Sequence, residues 1–281
     1  MIVVTAAAGK TGRAIIRAAA AAGLPVRAVV HSDRARATVT EEGAAEAVVA
    51  DLLVPAEVHG VLADTSAVVH IGPALHPREI AIGETVVDAA AAAGVDHFVL
   101  MSVTHPQLEP LLNHKSKLAV ERRLLLSRLS YTILQPMHYM QDVDVTASVS
   151  SGVYRQPYSL ERPLSFVDLH DVGEVAAGVL ADPARHVAAT YELCGADTLT
   201  GHEVAAMLAT VAGSEVRAEE VAPGEIVSRL TDAPDYTIDA MLRLFLHYDR
   251  YGITGNPNVL GWLLGREPTS FADYIRRELE V

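Results

Sequence analysis

The sequence predicts an α/β fold: a doubly wound parallel sheet followed by a smaller C-terminal lobe of mixed α/β structure. Three observations lead there. Six short apolar runs alternate with helix-like segments through the first half of the 281-residue chain. A turn of small residues separates the first apolar run from the first helix-like segment. Beyond about residue 142 the alternation gives way to shorter elements. A chain of this length forms one large domain or two intertwined ones, with ample core.

The apolar runs at 2–5, 26–30, 47–49, 67–71, 98–101 and 131–134 read as buried parallel strands, because both faces of such a sheet are covered. Between them, residues 11–22, 55–62, 79–93 and 111–126 carry helical patterning. Two of these helices end in alanine runs followed by Gly23 and Gly94, each just before a strand. Alanine supplies helix propensity and close approach to the sheet, and glycine past a helix end takes a left-handed conformation at no steric cost. The alternation places a dinucleotide-binding domain at 1–142 and a substrate lobe at 143–281, with 164–183 packing back on the first domain. Residues 145–152 are small and polar and read as a loop or crossover. Residues 164–167 read as a strand, then a helix runs through Leu180, and 191–194 form a further strand. Thr200 and Glu203 have the spacing of a capping box, and Ser270 with Asp273 has a related one.

Composition narrows the function. The net charge of −13 repels nucleic acid and anionic membranes, so any anionic ligand must be held by local positive groups. The single cysteine, Cys194, excludes an intrachain disulfide and suits a reducing compartment. The alanine-rich stretches are interrupted by Arg17 and Asp88, so no run spans a bilayer. No signal peptide is evident, and a cytoplasmic location is expected.

The turn after the first strand carries the chemistry. Ile2-Val3-Val4-Thr5 leads into Ala6-Ala7-Ala8-Gly9-Lys10-Thr11-Gly12 and then into a helix. Gly9 lets backbone approach a pyrophosphate, and Gly12 lets the helix pack closely. The amides and the positive end of the helix dipole then face the anion. Ala6 stands where a full fingerprint has its first glycine, and the expectation is a tight turn with Ala6 at negative φ. A P-loop fits worse, because its first glycine falls at Val4 inside the strand.

Motif by motif, the chain resembles the NmrA-like group of atypical short-chain dehydrogenase/reductases. The segments VTAAAGKTGRAII, VRAVVHSD, HFVLMS, KLAVERRLLLSRLSYTILQP, SFVDLHDVGEVAAGVLADP and YGITGNPNVLGWLLGREPTSFADYIRREL fall in that family's order over almost the whole length. The resemblance implies a Rossmann domain with a C-terminal lobe over the cofactor. It also implies binding of NADP(H), in a family that contains both reductases and redox-sensing regulators.

The positions that would meet the cofactor are then Thr5, Ala7, Gly9, Lys10, Thr11 and Gly12 in the turn. At the end of the second strand stand His31 and Ser32 in place of the acid that favours NAD. Asp33 and Arg34 follow; with Arg34 in reach, NADP(H) is favoured over NAD(H), although Asp33 could bind a ribose and Arg34 and Arg36 could simply solvate a helix. Asp51-Leu52 resembles the family's adenine contact and reads equally as a helix cap. Ile71, Gly72 and Pro73 should pass beneath the cofactor ribose.

For catalysis, no tyrosine here has a lysine four residues on, so the usual proton donor is missing. Lys117 matches the family's lysine slot as the ribose-binding cation, and reads otherwise as a surface pair with Glu121. Ser102 matches the catalytic serine region and reads otherwise as a turn residue. His105, His114 and His138 could replace the tyrosine. His138 or Tyr139, in the turn beginning at Pro136, is favoured as substrate-lining, with Met137 and Met140 as an apolar wall. Gln135 stands where the family usually has arginine. No metal site is expected: His202-Glu203 lacks a second histidine at the required spacing, and the cap explains Glu203. Tyr248, Tyr251 and Trp262 are expected to pack the small lobe.

These residues lead to an NADP(H)-dependent reductase that passes hydride to a planar, conjugated carbonyl compound such as a quinone or enone. Two alternatives stay open: a non-catalytic NADP-sensing regulator, and a cofactor-retaining non-redox biosynthetic enzyme. A monomer or homodimer is expected.

Overall fold

The computed structural model describes residues 1–281. By contacts the chain forms two compact units. The first comprises residues 1–109, 113–136 and 169–192, and the second residues 110–112, 137–168 and 193–281.

The first unit is the doubly wound sheet. In chain order it holds β1 (Ile2–Val4), α1 (Lys10–Ala21), β2 (Val26–Val30), α2 (Arg34–Glu41), β3 (Glu46–Val49), α3 (Pro55–Val61), β4 (Ala67–Ile71) and α4 (Glu79–Ala93). It continues with β5 (His97–Met101), α5 (Leu112–Leu125) and β6 (Tyr131–Pro136). The second unit opens with β7 (His138–Tyr139), α6 (Val145–Ser151), β8 (Val153–Gln156) and β9 (Leu164–Val167). The chain then returns to the first unit for α7 (Leu169–Ala181) and β10 (Ala189–Leu193).

The large sheet has the order β10-β6-β5-β4-β1-β2-β3. Ladders β1–β2, β1–β4, β2–β3, β4–β5 and β5–β6 are all parallel. The order reverses at β1, the position where open α/β sheets bind ligands outside the strands' carboxyl ends. Both faces are covered. On one, Val3, Val68, Phe98, Leu100 and Ile133 pack with Val58, Val86, Val87, Val120 and Leu124 from α3, α4 and α5. On the α1 side, α7 lies against α1 so closely that a β-carbon at Gly173 would stand 2.8 Å from the Ala14 carbonyl oxygen. Gly23 and Gly94 end α1 and α4 at φ +71° and +68°, the left-handed conformation the alanine–glycine junctions predict.

The second unit completes itself with β11 (Thr198–Leu199), α8 (Gly201–Ala212), β12 (Arg217–Glu220), α9 (Pro223–Val227), α10 (Asp235–Tyr251), α11 (Asn258–Leu264) and α12 (Phe271–Leu279). Its strands form the sets β11-β9-β7 and β12-β8. Both expected caps form: Thr200 and Glu203 make a reciprocal capping box, and Ser270 accepts from the Asp273 amide.

Two expectations are corrected, and one helix lies outside them. Residues 145–151 are helix, not loop: Asp144 accepts from the Ala147 amide at 2.9 Å, and Gly152 closes the far end at φ +66°. Helix α2 was not predicted, since RARATVTE is mostly charged and polar and buries Val39 alone. Of the three C-terminal aromatics only Tyr248 packs inside. It is 5% exposed, against 64% for Tyr251 and 76% for Trp262.

Candidate dinucleotide and active site

The turn after β1 leaves the start of α1 without a side-chain cap. Gly9 is the N-cap of α1 and has no side chain, so no hydroxyl or carboxylate competes for the first N–H groups of the helix. The Gly9 amide itself is spent on the Ala6 carbonyl at 3.1 Å, and the Ala7 amide on the Val29 carbonyl at 3.2 Å. These bonds fold the turn back on itself. Gly12 then sits on the turn rather than on the strand: a β-carbon there would lie 2.5 Å from the Ala7 carbonyl oxygen. Ala6 is corrected as well. Its φ is +46°, so alanine occupies the left-handed position that a fingerprint gives to glycine.

Ala6 is not alone in that conformation. Leu75, in the loop after β4, has φ +56°, and His105, in the loop after β5, has φ +54°. Strands β1, β4 and β5 are neighbours, so three non-glycine residues hold strained backbone along one stretch of the sheet's carboxyl edge. Such strain collects at binding and catalytic sites, where the surrounding structure pays for it.

At the tip of β2 the acid is already occupied. Asp33 accepts from Arg36 Nε at 2.7 Å, and Arg36 also donates to the Ala47 carbonyl. Arg34 and His31 are exposed there and make no ion pair; Ser32 is half-buried beside them. Arg13, just after the turn on α1, lies 3.7 Å from Glu42, which also binds Arg17 at 3.0 Å. Asp51 does not cap α3, whose N-cap is Val54. It closes a turn by accepting from Leu53 at 2.9 Å, while Glu57 reaches back to the Asp51 amide at 2.8 Å. Leu52 is half-buried next to it.

Beneath the edge of β4 lies a chain of buried polar groups. Thr5 Oγ1 accepts from the Ile71 amide at 2.9 Å and lies 2.9 Å from His70 Nδ1. Burial, and then the Lys117 ammonium, push His70 down to about 3, so the ring is neutral at any ordinary pH. Lys117 Nζ is 2.9 Å from Glu79 Oε1, and the two side chains are 12% and 1% exposed. A β-carbon at Gly72 would stand 3.0 Å from that Nζ and 3.1 Å from that Oε1. A side chain at Gly72 would press on the pair, which would have to give by a few tenths of an ångström, and Pro73 holds the next position half-buried.

The surface pair between Lys117 and Glu121 does not form. Glu121 is buried and accepts from the Ser102 hydroxyl and, at 2.8 Å, from Gln135 Nε2. Ser102 thus directs its proton at a carboxylate inside the first unit. Gln135, an arginine in the family pattern, serves the same carboxylate. Thr104 donates to the Gln135 carbonyl at 2.6 Å, and its amide to the Pro136 carbonyl at 3.1 Å. His114 is buried, with Nδ1 2.9 Å from the His105 carbonyl, and His105 Nε2 is 3.7 Å from Glu192. In the second unit His138 stands edge-on to Phe166 and Tyr248, with ring centroids 5.4 and 5.8 Å away, and Tyr139 beside it is half-buried.

Sequence reasoning missed three members of this assembly: His70, Glu79, and Glu121 as a buried acceptor. Glu79 opens α4, where an acid is ordinarily read as a partner for the helix dipole. Nothing local reveals that it meets a lysine on α5.

The NmrA-like family model matches residues 1–275. An NAD(P)H azoreductase of Xenophilus azovorans is 26% identical over 98% of this chain and 97% of its own length. Among solved structures, an NADPH-dependent quinone oxidoreductase of Escherichia coli complexed with NADPH superposes with TM-score 0.84. It is 22% identical, over 99% of this chain and all of that one. A Citrobacter triphenylmethane reductase superposes with TM-score 0.85, at 22% identity over 100% and 99% of the two chains. At that identity the two structures bear on fold.

Proposed function

The chain belongs to the NmrA-like family, and from that premise we propose that it is an NADPH-dependent oxidoreductase acting on a conjugated, electron-poor carbonyl compound, a quinone or an enone. The observation that carries the cofactor reading is the tip of β2. Its acid is bound to Arg36, which leaves the unpaired Arg34 to meet a 2′-phosphate.

The residues present fit such a ligand. The capless start of α1 offers amides and dipole to a diphosphate. Gly12 closes on Ala7 without the β-carbon that would pry the turn open. Lys117 holds an ammonium beside Gly72 for the ribose hydroxyls. When bound, NADPH supplies a hydride, two electrons and one hydrogen, and leaves as NADP+. The chain's own part is to bind and orient.

The choice of acceptor follows from what the site lacks. There is no Tyr–Lys pair, and the Ser102 proton points to Glu121. A quinone or enone, once reduced by hydride, is a stabilised anion that takes its proton from water, so no side-chain acid is needed. The names of the azoreductase, quinone oxidoreductase and triphenylmethane reductase support conjugated electron acceptors as the class.

Fluorescence titration with NADPH and NADH tests the cofactor, and stopped-flow oxidation of bound NADPH by a panel of quinones and enones tests the reaction. NADPH is expected to bind tighter than NADH. Arg34→Ala is expected to weaken NADPH about tenfold, the worth of one charge-assisted contact, and to leave NADH unchanged. An oxidation rate indifferent to every acceptor overturns the proposal.

A further inference from the structure

Lys117 has one ion-pair partner, and that partner is costly. Glu79 is 1% exposed, and neither of its carboxylate oxygens receives a hydrogen bond. The Lys117 ammonium lies close to Oε1, at 2.9 Å, without the alignment of one. A buried carboxylate with a single charge partner and unmet lone pairs gives little net stability; an apolar side chain of the same volume would serve the fold as well or better. Stability therefore does not account for the acid at this position.

Its placement does. Lys117 keeps 12% of its side chain open, while Glu79 is closed off beneath it. A ligand at the edge of β4 can reach the lysine and not the glutamate. The pair packs against Gly72 closely enough that a β-carbon there would stand 3.0 Å from Nζ and 3.1 Å from Oε1. Around Lys117, Glu79 on α4 pairs with it, and His70 on β4 is lowered in part by its charge. On its own helix, Glu121 turns instead to Ser102 and Gln135.

We infer that Glu79 is the positioning residue of the site: it holds the Lys117 ammonium in place beside Gly72 for the dinucleotide. Glu79 does not touch the cofactor. It acts through Lys117, and it rests on the dinucleotide reading given above.

The test is the affinity of the full chain for NADPH, measured by fluorescence at pH 7.5 in wild type, Glu79→Gln, Glu79→Asp, Lys117→Met and the double variant Glu79→Gln/Lys117→Met. Circular dichroism confirms that each is folded. In Glu79→Gln, affinity at pH 7.5 is expected to fall about tenfold, the worth of a misplaced charged contact. Glu79→Asp keeps the charge but withdraws it by one methylene, so the affinity returns in part. The double variant binds NADPH no worse than Lys117→Met does. A structural role for Glu79 predicts the opposite: no rescue by Glu79→Asp, or an additive loss in the double variant. Either of those results overturns the inference while NADPH binding by the wild type stands. A wild type that does not bind NADPH overturns the dinucleotide reading itself.

Discussion

His70 shows how one side chain carries a pH signature into the whole fold. It sits at the end of β4 with Thr5 Oγ1 on one ring nitrogen, and burial first and Lys117 second lower it from 6.5 to about 3. Above pH 6.5 the ring is neutral in both folded and unfolded chains, and the native state has its full stability. Below 6.5 the unfolded chain takes up a proton that the folded one refuses until about pH 3. Stability therefore falls across that window as the solution is acidified, with a slope of up to about 1.4 kcal/mol per pH unit from this residue. His97, lowered by burial and then by His186, adds to the loss with the same sign. In His70→Asn, whose amide oxygen can take over the Thr5 contact, the urea midpoint should fall less between pH 7 and 4.5 than in wild type. Parallel midpoints in the two proteins would remove His70 from the account. Nothing in the sequence announced this histidine, since an isolated His in an apolar strand reads as ordinary core. The partners that define its environment, Thr5 and Lys117, come from the turn after β1 and from α5.

Elements were legible where hydrophobic period and punctuation agree. Helix α4 spans Glu79–Ala93 as the pattern predicts, because apolar residues recur at helical spacing and glycine marks its end. Helices α2 and α6 escaped because each is short and carries no apolar stripe: α2 is mostly charged and polar, and α6 is begun by its Asp144 cap. Helix α7 gives the sharpest case. Its two glycines, Gly173 and Gly178, look alike in sequence, yet the structure assigns them opposite values. Gly173 is buried and faces the Ala14 carbonyl, with Ala18 Cβ 3.4 Å from where its own β-carbon would be. Gly178 is exposed, with nothing within 4 Å. Gly173→Leu should therefore cost about 1–3 kcal/mol by forcing α7 off α1. Gly178→Ala should gain about 0.5–1 kcal/mol from helix propensity alone. Urea unfolding with unchanged m-values checks both. Equal effects of the two substitutions would mean that the α1–α7 contact does not set the tolerance of α7 to side chains.

At the scale of the whole molecule, charge and site oppose each other. The chain carries −13, and the proposed ligand is also an anion. The positive groups that would hold it are few and local: Arg34, Lys117 and the open amides of α1. Arg13, Arg17 and Arg36, which composition counts as available, are tied to Glu42 and Asp33. The sequence therefore gave the sign of the global field correctly, but overstated the local one, because ion pairing across the fold is not visible in a list of residues. The consequence is kinetic. At 10 mM salt the screening length is about 30 Å, and an approaching NADPH feels the repulsion of the entire surface. At 150 mM it is about 8 Å, and the ligand feels only what lies around the turn after β1. The association rate for NADPH, followed by stopped-flow fluorescence, should accordingly rise as salt increases from 10 to 150 mM. A protein that steers its anion by a basic surface does the reverse. Arg34→Ala should lower the rate at every salt concentration and leave the direction of the trend unchanged, since the repulsive field is spread over the molecule and the attraction is not. A wild-type rate that falls steadily with salt would show that long-range attraction dominates, and the division drawn here between a repelling surface and a small local cradle would fail.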